Sequence, residues 1–417
     1  MVDMLETCPS VRYLKIFEAV ARLESVTRAA AEVGLTQPAV TQAIAKLELE
    51  IEEQLFDRRT TGTYLTEFGC DFLIRVRRFF ETLERTLVEM GLPNEKQALA
   101  SRVNRVTRSQ IRCHLAIARG QSFTHAATMI GVSQASLHRA ARDLERNMGV
   151  PLYRHTASGV VVTEAGQRLA TGLLAASNEI QQALDEVHAA RGAASGRIAI
   201  GTPMLDPAPF VAAVIGEFTR LYPDASVQVV NRTFEDLRRL LRSGALDFMV
   251  GVLKEQEADL NDEPLFTDRY VIAVRSSHPL ATRAGVTVKD LLEFDWIIPN
   301  QGAPRRHAFD NLFAPLGRTP KANIESHSLA TIRATLYESD RLAILTQMEV
   351  STDEKQGLLR ALPVGQLDPS PVIGVTTRRD WLPTPRQQAF LDLLRRAGKS
   401  QDAQPGAQAR QLAAGIA

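Results

Sequence analysis

The chain has 417 residues, a length that predicts two or more domains. Hydrophobic residues make up 45% of it, but no apolar stretch approaches the roughly 20 residues of a membrane-spanning helix, and the N-terminus lacks the pattern of a secretory signal. The formal net charge is only +1, so any affinity for nucleic acid must come from local clusters of charge.

One segment near the N-terminus occurs twice. Residues 29–48 read AAAEVGLTQPAVTQAIAKLE, and residues 126–145 read AATMIGVSQASLHRAARDLE. The two copies are offset by 97 positions, as from Gly34 to Gly131, and the match continues without a gap to Gly69 and Gly166. A match of this length indicates a duplicated module.

Each copy has the pattern of two helices joined by a tight turn. Gly34 and Gly131 stand at the turn, where the backbone needs positive φ. Thr36 and Ser133 are placed to cap the helix that follows. That helix has one apolar face, formed by Val40, Ile44 and Leu47 in the first copy and by Leu137, Ala140, Ala141 and Leu144 in the second.

The start and the opposite face of this second helix predict contacts with base edges and phosphates in a major groove. The candidate residues are Thr36, Gln37, Pro38, Thr41, Gln42 and Lys46 in the first copy and Ser133, Gln134, Ser136, His138, Arg139 and Arg142 in the second. A pair of helices with a solvated polar face is the alternative for either copy alone. The duplication favours DNA binding.

A two-stranded hairpin, or wing, is predicted after each helix pair, over residues 57–66 and 154–163. Arg58, Arg59 and Arg154 lie near the turns, where they could follow phosphates or enter a minor groove. Surface charges that only solvate the hairpin are the alternative.

These motifs resemble the N-terminal winged helix-turn-helix of LysR-type transcriptional regulators. The resemblance is carried by TQPAVTQAIAKLE, LFDRR and LTEFG in the first copy and by SQASLHRAARDLE, VPLYRHT and VTEAG in the second. The second copy departs from the pattern at Ala135, which replaces a proline, and at His155, which replaces an arginine. Such regulators usually carry one module, so this chain has an extra one.

The resemblance implies an α+β multidomain fold. Two winged helix-turn-helix modules with long linker helices precede a two-lobed α/β effector domain like a periplasmic binding protein. The predicted domains are residues 8–90, 105–192 and 196–396, followed by a disordered tail over 397–417. The implied partners are double-stranded DNA, a small-molecule effector and further copies of the chain in a homodimer or homotetramer, with RNA polymerase as a candidate. The composition, without an apolar span or a signal pattern, predicts a cytoplasmic location.

The two copies differ in charge. The second is rich in arginine between residues 102 and 155, whereas Glu48, Glu50, Glu52 and Glu53 crowd the end of the predicted recognition helix in the first. Phosphate neutralisation favours the second copy, and the motif match favours the first. The sequence does not rank them.

A long amphipathic helix is predicted after each wing, with apolar stripes over residues 68–87 and 169–187. In the family this helix pairs with its equivalent in a second subunit. The stripe could instead be intramolecular core, and the two copies in one chain could pair with each other.

From Gly196 onward, short apolar strands alternate with helices, which predicts βαβ units and a mainly parallel sheet. Strands are predicted at 197–202, 226–230, 247–252, 270–275, 296–299, 342–346 and 372–377, and a helix over 385–395 closes the domain.

Ligands bind beyond the carboxyl ends of such strands, often at helix N-termini. The candidate effector residues are Thr202, Met204, Thr233, Asn300, Gln301 and Ser328, which match by position the inducer site of the family. Ordinary cap and loop roles are the alternative. Arg305, Arg306 and His307 are a weaker candidate for an anion site, with a solvated surface cluster favoured.

The sequence excludes other function classes. It contains no GxSxG, P-loop, HExxH or strand-linked GxGxxG motif, so no catalytic role is predicted. Cys8, Cys70 and Cys113 lack metal-ligand spacing and suggest reduced thiols, and no metal or cofactor is expected. The interpretation is a sequence-specific transcriptional regulator controlled by a small, anionic metabolite.

Overall fold

The structure is a computed structural model that describes residues 9–59, 62–120, 122–156, 159–190, 197–203, 208–254, 256–283, 285–301 and 303–402. The chain divides into two compact units with a boundary near Gly196. Over the described residues, none of the helices combines the length and the apolar character needed to cross a membrane.

The first unit begins with a three-helix module, a hairpin and a long helix. These elements are α1 (Val11–Leu23), α2 (Val26–Val33), α3 (Gln37–Ile51), β1 (Phe56–Arg59), β2 (Gly62–Leu65) and α4 (Glu67–Glu89). A short helix, α5 (Lys96–Asn104), leads to the second copy.

The second copy repeats this order after α5. Its elements are α6 (Arg108–Gly120), α7 (Phe123–Met129), α8 (Gln134–Met148), β3 (Tyr153–Thr156), β4 (Gly159–Val162) and α9 (Glu164–Ala190). The strands of each hairpin are antiparallel, with Phe56 opposite Leu65 and Tyr153 opposite Val162. The predicted winged helix-turn-helix architecture is confirmed in both copies.

Residues that are identical in the two copies form the same turns and hydrogen bonds in each. Gly34 and Gly131 have φ of 67° and 66°, as the predicted turns require. One oxygen of Glu48 accepts hydrogen bonds from the backbone of Leu55 and Phe56, at 2.9 and 3.3 Å. The carboxylate of Glu145 does the same for its own wing, at 2.8 and 3.2 Å. In each copy this glutamate therefore fixes the wing to the recognition helix.

The two long helices pack against each other in antiparallel orientation, within the one chain. The start of α4 meets the end of α9, where Arg75 Nη2 lies 2.8 Å from Glu186 Oε1. The start of α9 meets the end of α4, where Arg168 donates a 2.7 Å hydrogen bond to the carbonyl of Glu89. Most residues of both apolar stripes are buried in one continuous core, and Phe68 and Phe80 pack against it. Of the three arrangements left open by the sequence, the structure has the two copies paired with each other.

Helix α5 ties the two copies together a second time. Leu99 and Val103 are buried in the same core, and the Arg102 guanidinium donates to the carbonyls of Asn147 and Met148, at 2.6 and 2.7 Å. Because these carbonyls end α8, a cation there satisfies helix acceptors that have no partner within the helix.

The second unit contains two five-stranded sheets, one in each lobe. The first sheet has the order β6-β5-β7-β14-β8, with β5 (Arg197–Pro203), β6 (Ser226–Arg232), β7 (Phe248–Val252), β8 (Leu260–Thr267) and β14 (Val372–Arg378). The second has the order β11-β10-β12-β9-β13, with β9 (Tyr270–Arg275), β10 (Trp296–Ile298), β11 (Ile324–Glu325), β12 (Leu342–Thr346) and β13 (Leu359–Leu367).

Helices cover these sheets and bury two apolar clusters in each lobe. They are α10 (Ala208–Leu221), α11 (Phe234–Arg242), α12 (Pro304–Phe313), α13 (Leu329–Tyr337), α14 (Gln347–Lys355) and α15 (Pro385–Asp402), with short 3₁₀ turns at Asp290–Glu293 and Ala314–Leu316.

Two expectations for this unit are corrected. The sheets are mixed and not mainly parallel: β14 runs antiparallel to β7 and β8, and β9 runs antiparallel to β12 and β13. The chain crosses into the second sheet along β9 and returns to the first along β14, so these strands oppose their neighbours. Helix α15 also extends to Asp402, beyond the predicted domain end at 396, because Ala397 still packs on the core of the first lobe. Residues 403–417 of the predicted tail lie outside the described residues.

Candidate nucleic-acid interface and effector site

The recognition helix of the first copy, α3, presents the predicted side chains on its outer face. Thr36, Gln37, Pro38, Gln42 and Lys46 are exposed and Thr41 is half-buried, while Val40, Ile44 and Leu47 face the core. The predicted capping hydrogen bond of Thr36 is absent, although this residue holds the N-cap position. Pro38 has no N–H to donate, but the donor equivalent to Ser136 of the second copy is Ala39, so the proline does not explain the difference.

The recognition helix of the second copy, α8, begins with a true cap. Ser133 Oγ accepts a 3.2 Å hydrogen bond from the backbone of Ser136. Ser133, Gln134, Ser136, Arg139 and Arg142 are all exposed. His138 is less exposed than these residues and is half-buried, because its ring stacks on Phe123 with a 4.2 Å separation of ring centres. This packing uses one face of the imidazole.

The wings carry the predicted arginines at the expected positions in the chain. Arg154 is exposed in β3. Arg58 and Arg59 lie in β1, opposite Thr63 and Gly62, but their side chains fall outside the described residues.

The electrostatic contrast between the two copies is smaller than the sequence suggests. Glu48 is occupied with its wing in the same way as Glu145, so it does not distinguish the copies. In the second copy, Arg102 binds the end of α8, and Arg146 lies 3.0 Å from Asp143. The exposed cations on the recognition face of α8 are therefore chiefly Arg139 and Arg142.

The second copy also contains a buried polar contact that the first lacks. His114 is fully buried, and its Nε2 donates to the carbonyl of Gly166 at 2.9 Å while its Nδ1 accepts from the Tyr153 hydroxyl at 2.7 Å. A carbonyl can only accept, which assigns this tautomer. Burial lowers the pKa of His114 from 6.5 to about 4. In the first copy, Phe17 and Phe56 hold these positions, with ring centres 5.5 Å apart.

In the second unit, the candidate effector residues of the first lobe lie at the carboxyl ends of adjacent strands. Thr202 is buried in β5 opposite Asn231 of β6, and its hydroxyl accepts from the Asn231 amide at 2.6 Å. Thr233 follows β6 and is exposed, with its hydroxyl 2.7 Å from Asp236. Met204 lies outside the described residues. Asn231 was not predicted, and its position one residue before the end of β6 is the signal that could have identified it.

The candidates of the second lobe also follow parallel neighbours. Asn300 and Gln301 come after β10 and are exposed, and Ser328 follows β11. Ser328 Oγ accepts from the backbone of Thr331 at 3.2 Å, so it caps α13 as expected. The structure thus places two of the candidates in the first lobe and three in the second.

The sequence favoured a solvated surface cluster for Arg305, and the structure contradicts this interpretation. Its guanidinium is buried and lies 3.0 Å from both carboxylate oxygens of Glu349. Glu349 in turn accepts from the backbone of Thr346, at 2.7 Å, in a capping box. Arg306 is half-buried and pairs with Asp310 at 3.0 Å, which leaves only His307 exposed. Arg305 holds α12 to α14, and its charge is already compensated.

Comparison with known proteins supports this division of the chain. A model described as the LysR substrate binding domain matches residues 191–399. A model described as the bacterial regulatory helix-turn-helix protein of the lysR family matches twice, at residues 11–70 and 109–167.

Individual relatives match over different lengths. The HTH-type transcriptional regulator GalR of Pseudomonas putida is 29% identical over 398 residues, which cover 95% of this chain and 98% of the relative. The uncharacterised regulator YdcI of Escherichia coli is 27% identical, with 69% of this chain and 93% of its own length covered. Both copies of the module therefore have counterparts in the first relative.

Solved structures show the same fold. Full-length OxyR from Pseudomonas aeruginosa superposes with a TM-score of 0.50 at 22% identity, over 70% of this chain and 94% of its own. CbnR, a LysR family transcriptional regulator, gives a TM-score of 0.50 at 18% identity, over 69% and 98%.

Proposed function

The chain belongs to the LysR family of DNA-binding transcriptional regulators and carries the effector-binding domain of that family. From this premise we propose which residues bind DNA and which bind the effector. Recognition helices α3 and α8 and their wings bind DNA, and a small anionic metabolite bound between the lobes of the second unit controls that binding. The observation that supports DNA binding is that the recognition helix of each module has an exposed polar face, while its apolar face is buried in the core of the module.

The effector proposal rests on hydroxyls and a helix N-terminus. The first turn of α13 contains no acidic residue, so its free N–H groups and Ser328 suit a carboxylate. Glu235 and Asp236 occupy the first turn of α11 and disfavour an anion beside Thr233. A Thr202 hydroxyl that accepts from Asn231 can still donate its own proton to a ligand. The acidic group of the metabolite therefore sits at α13.

Binding between the lobes favours one lobe arrangement, and the effector acts through its differential affinity for the two arrangements. The bias passes to the DNA-binding modules through the linker helices. We place the regulator in the cytoplasm as a homodimer or homotetramer, with RNA polymerase as a further partner. The sign of regulation follows from which arrangement the metabolite selects.

Replacing arginines on α8 should weaken DNA binding more than replacing the lysine on α3. Arg139→Ala and Arg142→Ala each remove an exposed cation from the recognition face, with an expected loss of about tenfold in affinity. A lost phosphate contact also lowers the slope of log affinity against log salt by about one unit. Fluorescence anisotropy on the regulator's own promoter DNA measures both quantities.

Arg146→Ala is the matched control on the same helix, because Arg146 is highly exposed but paired with Asp143. It should change affinity by less than a factor of three. If Lys46→Ala weakens binding more than either arginine variant, the first copy dominates and this ranking is wrong.

A thermal-shift screen of organic acids and sugar acids on the full-length chain should identify the effector. Thr202→Val combined with Ser328→Ala should then weaken the identified acid by about tenfold or more, because two polar contacts are lost. Thr219→Val is the control, since that hydroxyl donates to carbonyls of its own helix, at Ile215 and Gly216. An acid that binds the double variant as tightly as the natural chain would place the site elsewhere.

A further inference from the structure

Helices α4 and α9, which pair to join the two copies, present different residues to each other at equivalent positions. Arg75 of α4 is 2% exposed, and it contacts Glu179 at 3.1 Å and Gln182 at 2.8 Å on α9. The residue equivalent to Arg75 in the second copy, 97 positions later, is Gly172. A Cβ at Gly172 would lie 2.0 Å from the hydroxyl of Thr86, so this position admits no side chain. One end of the pair is thus an ion pair and the other a close helix crossing.

These surfaces disfavour pairing between identical helices. In a pair of two α4 helices, Arg75 would face Thr82 and Arg85, the residues equivalent to its acidic and amide partners. In a pair of two α9 helices, Glu179 would face Gly172 and its buried carboxylate would have no cation. Burying an unpaired charge is strongly unfavourable, so the ion pair selects α4 with α9.

The recognition helices held by this pair differ at equivalent positions. Gln42 on α3 corresponds to Arg139 on α8, and Ala45 corresponds to Arg142, and all four are exposed. Glutamine pairs with the edge of adenine, whereas arginine pairs with the edge of guanine. Two modules with these side chains read different bases at the same position of their half-sites.

We propose that one chain reads one operator composed of two unlike half-sites. The α4–α9 pair places α3 on the first half-site and α8 on the second, with adenine preferred opposite Gln42 and guanine opposite Arg139. In a dimer of identical subunits the operator mirrors the symmetry of the protein, and this chain removes that requirement. The inference rests on the proposed use of both modules in DNA binding.

Selection of bound duplexes from random-sequence DNA by the full-length chain tests the proposal. We expect Arg139→Gln to change the base preference at one set of positions and Gln42→Arg to change it at another, by about tenfold at each position concerned. Arg146→Gln, on the same helix as Arg139 but paired with Asp143, should select the same site as the natural chain.

The outcomes separate this inference from the proposed function. Separate effects of the two variants support the pair of unlike half-sites. A site that only one variant alters, or the same positions altered by both, overturns the inference and leaves DNA binding itself intact. If the natural chain selects no DNA, the proposed function and this inference both fail.

Discussion

Arg75→Ala should destabilise the N-terminal unit by about 3 kcal/mol, because it removes a buried guanidinium and leaves its acceptors with fewer partners. The buried carboxylate of Glu179 would keep Arg78, at 2.9 Å, but lose Arg75, and the partly buried carboxylate of Glu186 would lose the guanidinium at 2.8 Å. The measurement is the free energy of opening from hydrogen exchange of amides in α4 and α9, made on the full-length chain.

Arg168→Ala is the control for this substitution, since Arg168 joins the same two helices from an exposed position. Its side chain is half exposed and pairs with Glu164 at 2.7 Å, so its removal should cost less than about 1 kcal/mol. Equal effects of the two substitutions would contradict a special contribution from the buried ion pair.

Lowering the pH from 7 to 4 should destabilise the second copy by about 3 kcal/mol through His114 alone. The folded-state pKa is about 4, against 6.5 for an ordinary histidine, because the ring is buried. Between these values the unfolded chain binds a proton that the folded chain does not. The stabilisation is therefore complete above pH 6.5 and is lost as the pH falls toward 4.

The first copy supplies the variant that tests this. His114→Phe combined with Tyr153→Phe reproduces the Phe17 and Phe56 pair of the first copy, including its lack of a titrating ring. The free energy of opening of α6 amides should depend less steeply on pH in the double variant than in the natural chain. An unchanged pH dependence would show that other groups carry the acid sensitivity. Carboxylates common to both proteins cancel in this comparison.

The parts of the fold that depend on local pattern could be predicted from the sequence. Both modules follow from the repeat, and Tyr270–Arg275 and Leu342–Thr346 are strands with the predicted bounds, because each is a short, continuous apolar run. Strands β8 and β13 were missed because they contain Pro264 and Pro363. Both lie at sheet edges, where a residue without an N–H is tolerated.

Interactions between distant segments could not be predicted in this way. Arg305 appears beside Arg306 and His307 as a polar surface cluster, and only the fold brings Glu349 to it. The predicted strand ends were enough to locate Thr202 and Thr233 in the first lobe. The hydrogen bond between Thr202 and Asn231 could not be predicted, because it depends on the register of β5 and β6. The partner of each linker helix likewise depends on Arg75 and Glu179, which are 104 positions apart.

Pairing of α4 with α9 is an equilibrium within one molecule, so its constant carries no concentration term. Two separate subunits come apart when their abundance falls below their dissociation constant, whereas tethered partners keep a high effective concentration of each other. Dilution therefore leaves the two recognition helices of this chain together. A cell that holds only a few copies of the protein still has both modules assembled for DNA binding.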